Sequence, residues 1–294
     1  ESVVVGYSQA LGAKHIDTLT AQMNLATVLT EQGDPEGSRL NRLALAGLTE
    51  KLGPSHVRSL DAQYNLGKAI MDDSPEEARK LFEAVVGGRS VVLGSDHIDT
   101  LSAQMNLGIV LNEIGEVEQA LELHEIAFQG FSAKLGVEHT DTLRAEFNLA
   151  QLLHVQFYEL RRAGLAEKGG HLRARARQLY EHVIASSTRH SGAHDATTLE
   201  ATLNLAALLH DFPGQAPIAQ RLYKEVISGY TECHGAQYQG TLTAIVSLAV
   251  LLEQEGQHDA AEKEFKVAAD GLAEAPGQLP SWIEAHFDES YPDA

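Results

Sequence analysis

The sequence predicts an all-α fold, a right-handed solenoid superhelix of stacked helical hairpins with about six units of roughly 42 residues and part of another at the N-terminus. Three observations predict it. A short pattern recurs six times: His15-Ile-Asp-Thr-Leu19, His56-Val-Arg-Ser-Leu60, His97-Ile-Asp-Thr-Leu101, His139-Thr-Asp-Thr-Leu143, Asp195-Ala-Thr-Thr-Leu199 and Tyr238-Gln-Gly-Thr-Leu242, with the closing leucines 41, 41, 42, 56 and 43 residues apart. Apolar residues after each pattern keep a helical rather than an alternating period. Turn-forming residues divide each period in two.

The first half of each period is a helix. Leu25 and Leu29, Leu107 and Leu111, Leu149 and Leu153, Leu205 and Leu209, and Leu248 and Leu252 lie one turn apart on one face. A small residue follows the first leucine of each copy (Ala26, Gly67, Gly108, Ala150, Ala206 and Ala249), so a second helix can approach closely along this seam. Gly33-Asp-Pro35, Asp73-Ser-Pro75 and Glu113-Ile-Gly115 then break the helix, and a second amphipathic segment such as Val117 to Leu135 follows. The second helices close at Leu11-Gly12, Leu52-Gly53, Leu93-Gly94 and Leu135-Gly136, where glycine takes the left-handed conformation of a helix end. His or Asp opens the next first helix, with Asp17, Asp99 and Asp141 in the first turn, where the helix dipole favours negative charge. One solenoid over residues 1–275 and a tail over 276–294 make up the predicted organisation. Because Glu1 to Gly12 matches the last turns of a second helix, an earlier repeat is expected upstream, and a targeting segment could precede it.

Composition narrows the function. Twenty-two Lys and Arg against 41 Asp and Glu leave a net charge of −19, a field that repels nucleic acid and anionic lipid. The 44% hydrophobic content supports a folded chain, while the polar interruptions between Cys233 and Leu252 argue against a membrane span. A single cysteine, Cys233, rules out an internal disulfide and a cysteine-based zinc site, and suits a reducing, cytoplasmic setting. It reads as a buried structural thiol, since His234 beside it has no orienting partner. No phosphate loop, dinucleotide fingerprint or nucleophile elbow occurs, so neither catalysis nor a cofactor is expected. His190, His194 and Asp195 approach metal-ligand spacing, but a repeat junction explains them as capping and packing groups, as it does the recurring loop histidines, and no metal is expected.

The run Leu-Gly-x-x-His-x-x-Thr-Leu followed by Asn-Leu-Ala or Asn-Leu-Gly, with Gly115 and Ala120 or Gly256 and Ala261 in the turn and second helix, resembles the 42-residue tetratricopeptide repeats of kinesin light chains from about Tyr7 to Leu272. Arg58-Ser59, Ser191-Gly192 and Ser247 depart from the pattern, and the heptad coiled coil of those proteins does not occur in this sequence. The resemblance implies a concave groove lined by the first helices, in which Asn24, Asn65, Asn106, Asn148, Asn204 and Ser247 face a bound peptide. A carboxamide both donates and accepts, so such a ladder can satisfy an extended main chain. The same amides could instead bond the neighbouring repeat. The residues before them, Met23, Tyr64, Met105, Phe147, Leu203 and Val246, read as an apolar floor or as a second core stripe. On this face Asp61, Glu200, Asp72, Glu31 and Glu113 outnumber Lys68 and Arg144, which favours a neutral or basic partner segment.

Two segments break the pattern. Around residues 157–171 an insertion of about fourteen residues is placed between the helices of the fourth repeat. It falls in a basic island that holds Arg161, Arg162, Lys168, Arg173, Arg175 and Arg177, six of the 22 cations within 17 residues. Arg161, Arg162, Arg173 and Arg177 could dock an acidic partner, or the island could be a solvated helix extension. The tail from Gln278 carries Trp282, Ile283, Phe287 and Tyr291 and reads as a cap over the last repeat or a partner-binding segment. The expected function is a non-catalytic interaction scaffold or adaptor for a peptide segment of a partner protein; the alternative is a constitutive structural subunit of a large assembly.

Overall fold

The computed structural model describes residues 2–210, 212 and 214–274; the tail with Trp282 lies outside the described residues. All thirteen elements described are α-helices: α1 (Ser2–Leu11), α2 (Ile16–Glu31), α3 (Glu36–Leu52), α4 (Val57–Ile70), α5 (Pro75–Val92), α6 (Ile98–Glu113), α7 (Val117–Leu135), α8 (Thr140–Arg162), α9 (Ala166–Ser191), α10 (Ala196–His210), α11 (Ala216–His234), α12 (Gln239–Gln254) and α13 (His258–Glu274). They form two compact units whose division falls inside α8, after Leu152. In the first unit each helix from α1 to α6 packs on its successor, and α2 also touches α4. In the second the same holds from α9 to α13, and α10 touches α12. Each unit is thus a run of helical hairpins.

The recurring pattern is a device for turning one hairpin into the next. Gly12, Gly53, Gly94, Gly136, Gly192 and Gly235 all have φ between 86 and 102°, where a side chain would be strained. Three residues on, the Nδ1 of His15, His56, His97 and His139 accepts the backbone N–H two residues ahead at 3.2–3.3 Å. Asp195 does the same for Thr197 at 3.0 Å. The loop histidines are therefore helix caps. The threonine before each leucine closes the loop: Thr18, Thr100 and Thr142 donate to the carbonyls of Gly12, Gly94 and Gly136 at 2.8 Å, and Thr198 and Thr241 to Gly192 and Gly235 at 3.0 Å. Ser59, where the pattern departs, is fully buried with its hydroxyl unpaired.

Packing within a hairpin follows the small-residue seam. Ala26, Ala150, Ala206 and Ala249 are fully buried, and a Cβ placed on Gly67 or Gly108 would meet the ring of Phe82 or His124 at 2.9–3.0 Å. Phe82, His124, Tyr180, Tyr223 and Phe265 each occupy this place on the second helix and are all 3% exposed or less. Only the first hairpin differs, with Asn41 in the slot and both of its amide atoms buried without a partner.

The extra residues of the fourth repeat take the form of a helix extension, one of the two readings of the basic island. The added length is helix on both sides of the turn at residues 163–165: α8 has 23 residues against 16 in α6, and α9 has 26 against 19 in α7. Seven residues on each strand of the hairpin are two helical turns, so the apolar face keeps its direction while the hairpin lengthens by about 10 Å. The added turns are anchored within the second unit. Phe157 is buried 5.7 Å from the ring of Phe212, and the Tyr158 hydroxyl donates to the Ala207 carbonyl at 3.1 Å.

Candidate functional site

The outward stripe of each first helix begins with the residue after the repeat leucine and passes through the amide four residues later. On α2, Asn24 is exposed; on α4 and α8, Asn65 and Asn148 are half-buried; on α6, Asn106 is only 8% exposed. In the second unit Asn204 on α10 is half-buried and Ser247 on α12 is buried. The six positions are therefore equivalent in register and unequal in access.

Their hydrogen bonds divide them further. The Asn106 amide donates to the Tyr64 hydroxyl at 2.8 Å and to the Ser102 carbonyl at 2.9 Å. Asn65 reaches Thr27 on α2 at 3.4 Å. Asn204 donates to Glu200 and Ser247 to Thr243, each to the carbonyl four residues back, at 2.9 and 2.8 Å. Asn24 and Asn148 make no side-chain hydrogen bond among the described residues. The amides thus serve both roles that the sequence left open: some stitch one first helix to the previous one, and others are uncommitted.

Of the two readings of the stripe beside the amides, the side chains are placed more as core than as floor. Met23 packs with Leu19 and Leu48, and Met105 with Leu101 and Phe131; Phe147 and Val246 are buried as well. These helices bury more than one stripe because each is flanked by neighbours on two sides. Tyr64 and Leu203 alone are half-buried.

A buried arginine that sequence reasoning missed organises the middle of the first unit. Arg89, on α5 and 5% exposed, donates to the Asp61 carboxylate on α4 at 2.7 Å and to the Asp99 carbonyl on α6 at 2.9 Å. Its guanidinium lies 4.7 Å from the Tyr64 ring centroid. Burial pushes the Tyr64 phenol up, while the charges of Arg89 and Arg144 pull it down. Arg89, Tyr64 and Asn106 therefore form one chain of contacts that fixes α4 against α6. The signal was a cation at a register position where α3 has Leu48 and α7 has Phe131.

The charged candidates are mostly engaged. Lys68 is exposed, and exposed Arg144 pairs with Asp141 at 2.9 Å. Of the arginines in or near the insertion, Arg161 and Arg173 lie 5.6 and 3.8 Å from the Phe212 ring centroid, while Arg162 pairs with Glu159 at 3.2 Å and Arg177 with Glu181 at 2.7 Å. Cys233 is exposed rather than buried, with its thiol 3.6 Å from the His194 carbonyl, because it falls on the solvent side of the last turn of α11. His194 pairs with Glu232 at 3.2 Å, and His190 bonds the Ser186 carbonyl of its own helix at 2.8 Å. Among the described residues no helix is long and apolar enough to cross a membrane.

Hairpins joined by capped turns, with amides along the first helices, define a helical-repeat protein of the interaction-scaffold class. Residues 18–58 and 99–157 match tetratricopeptide-repeat family models. These two segments are similar to tetratricopeptide repeats, and the chain is similar in fold to kinesin light chain-like proteins. One similar solved structure is a Podosopora anserina protein described as a kinesin light chain with nearly identical TPR-like repeats, at 24% identity and TM-score 0.58, covering 75% of this chain and 98% of that one. A second is BtubC (BKLC) from P. vanneervenii, at 18% identity and TM-score 0.61, covering 89% and 94%. A third is a Rap protein complexed with Competence and Sporulation Factor, at 12% identity and TM-score 0.58, covering 87% and 77%. No curated protein sequence matches the chain.

Proposed function

We propose that the chain is a non-catalytic scaffold that holds a peptide segment of a partner protein against the first helices of its hairpins. The amides carry this reading: Asn24 and Asn148, on α2 and α8 of the first unit, keep both donor and acceptor uncommitted. An extended peptide presents N–H and C=O groups that such amides satisfy without reading side chains. The Rap protein of the same fold, solved with Competence and Sporulation Factor, supports a binding role for the architecture. The acidic balance of the chain favours a neutral or basic segment, and the lone exposed thiol suits a reducing, cytoplasmic setting. Replacing Asn24 and Asn148 together with Ala tests the reading, since neither holds the scaffold. Capture of partners by the full chain, mapped by cross-linking mass spectrometry, should fall while the melting temperature stays unchanged. Undiminished capture on the same face would sink the proposal.

A further inference from the structure

The second unit contains a cluster that hairpin packing does not explain. Glu200 follows the repeat leucine on α10, the place that Asp61 holds on α4. Asp61 is neutralised from behind by Arg89, seven residues after Phe82 on its second helix. The corresponding residue on α11, seven after Tyr223, is Tyr230. The register position that carries a guanidinium behind Asp61 therefore carries a phenol here, and Glu200 has no ion pair among the described residues. Partial desolvation and the charge of Asp195 hold its carboxyl above the usual range, as expected of a carboxylate without a cation.

The rings around it are arranged at a local cost. Tyr230 is 4% exposed, and its hydroxyl makes no hydrogen bond among the described residues. Leu199, the chain neighbour of Glu200, packs in one cluster with Tyr230, and the charges of Glu200 and Tyr238 act on the Tyr230 hydroxyl. Tyr238 stands where the other junctions carry a capping His or Asp, and it makes no capping bond. Its ring instead lies 5.3 Å from Tyr230 and 4.5 Å from His234, and it remains 40% exposed. A Cβ on Gly240 would stand 2.5 Å from the Tyr238 ring, so a glycine in the first turn of α12 makes the room. A forgone cap and a helical glycine each weaken the start of α12.

We infer that Glu200, with the rings of Tyr230, Tyr238 and His234, forms a receptor for a cationic side chain, an arginine or lysine of the partner segment. Aromatic faces attract a cation through their quadrupole, and the unpaired carboxylate supplies the counter-charge that Arg89 supplies in reverse for Asp61. A planar guanidinium stacks on such rings better than an ammonium does, so arginine is the preferred occupant. This deepens the proposed function and rests on it, naming one side chain that the groove selects.

The test titrates the full chain with a blocked peptide, Ala-Ser-Arg-Ser-Ala, and with its citrulline twin, which keeps the shape and lacks the charge. Binding is followed through the ring resonances of His234 and Tyr238 by NMR. The arginine peptide should shift these resonances saturably and bind at least about tenfold more tightly than the citrulline peptide. Glu200→Gln, an exposed substitution, should erase that preference, and Tyr238→His, which restores the cap, should weaken arginine binding without lowering the melting temperature. Equal affinity for the two peptides, unmoved ring resonances, or an unaffected Glu200→Gln variant would each overturn the inference. The Asn24 and Asn148 substitutions leave this cluster untouched, so arginine selection lost with amide-dependent capture retained defeats the receptor alone. The opposite result defeats the amide reading alone.

Discussion

His124 couples acidity to the stability of the first unit, and replacing it with phenylalanine isolates that coupling. The imidazole is 2% exposed, packs against Gly108, and leaves its Nδ1 buried without a partner. Burial lowers its pKa from 6.5 to about 4. The neutral ring is therefore the native form, and between about pH 4 and 6.5 the unfolded chain binds the extra proton. Stability from this group is complete above about pH 6.5 and falls as pH drops towards 4. The whole interval is worth about 3 kcal/mol, and about 2 kcal/mol of it is lost by roughly pH 5. Phenylalanine fits the slot, because Phe82 stands over Gly67 in the same way one hairpin earlier. Urea unfolding followed by circular dichroism, at about pH 7.5 and about pH 5, gives the comparison. Carboxylate titration is common to both proteins and cancels in the difference. His124→Phe should gain about 2 kcal/mol on the parent chain upon acidification and lose nothing at neutral pH, since an unpaired buried nitrogen is removed. Parallel pH dependences for the two chains would refute the assignment of a neutral, desolvated ring.

Three other substitutions test separate parts of the scaffold. Gly37→Ala would put a Cβ 2.7 Å from the Thr30 backbone nitrogen and 2.9 Å from the Ala26 carbonyl. Neither can yield without moving α2, so a loss of about 2 kcal/mol is expected in chemical denaturation. Thr100→Ala should cost about 1 kcal/mol by leaving the Gly94 carbonyl without its donor, whereas Ser59→Ala should be neutral because its hydroxyl bonds nothing; equal losses would contradict the loop-closing role. Arg89→Leu should destabilise by about 2 kcal/mol and release Tyr64, visible as a change in its ring environment by NMR, while Lys68→Leu should leave both unchanged.

The hairpin order was legible because its signals are local. Glycine, the capping residue and threonine lie within seven residues of one another, so one pattern encodes the whole junction. The seam of small residues was legible for the same reason, since it follows the leucine directly. Its complement was not. The rings of Phe82, His124, Tyr180, Tyr223 and Phe265 lie 16 to 31 residues after those leucines, at spacings that vary with helix and turn length. Arg89 escaped because a cation in an amphipathic helix reads as a surface residue until a partner such as Asp61 is placed behind it. The insertion could be counted from the spacing, but its even division between two helices could not, since both lengthened helices keep their faces.

The candidate site was legible as a register and illegible as a set of contacts. Asn24, Asn65, Asn106 and Asn148 share the same Asn-Leu pair followed by Ala or Gly, yet one is exposed, two are half-buried and one is held by Tyr64. What separates them is the residue that the preceding hairpin sends across: a tyrosine on α4 reaches Asn106, and a threonine on α2 reaches Asn65. An amide bonded in this way transmits the position of one hairpin to the next, and an uncommitted amide does not. A ligand that bonds Asn24 or Asn148 therefore meets side chains that can turn to it freely. One that competes for Asn106 must break the contact with Tyr64, and with it the stack on Arg89 that fixes α4 against α6. Affinity and the rigidity of the first unit are then set by the same hydrogen bonds. A peptide that engages Asn106 should loosen protection of the α4 and α6 amides against hydrogen exchange, while one confined to Asn24 and Asn148 should leave it unchanged.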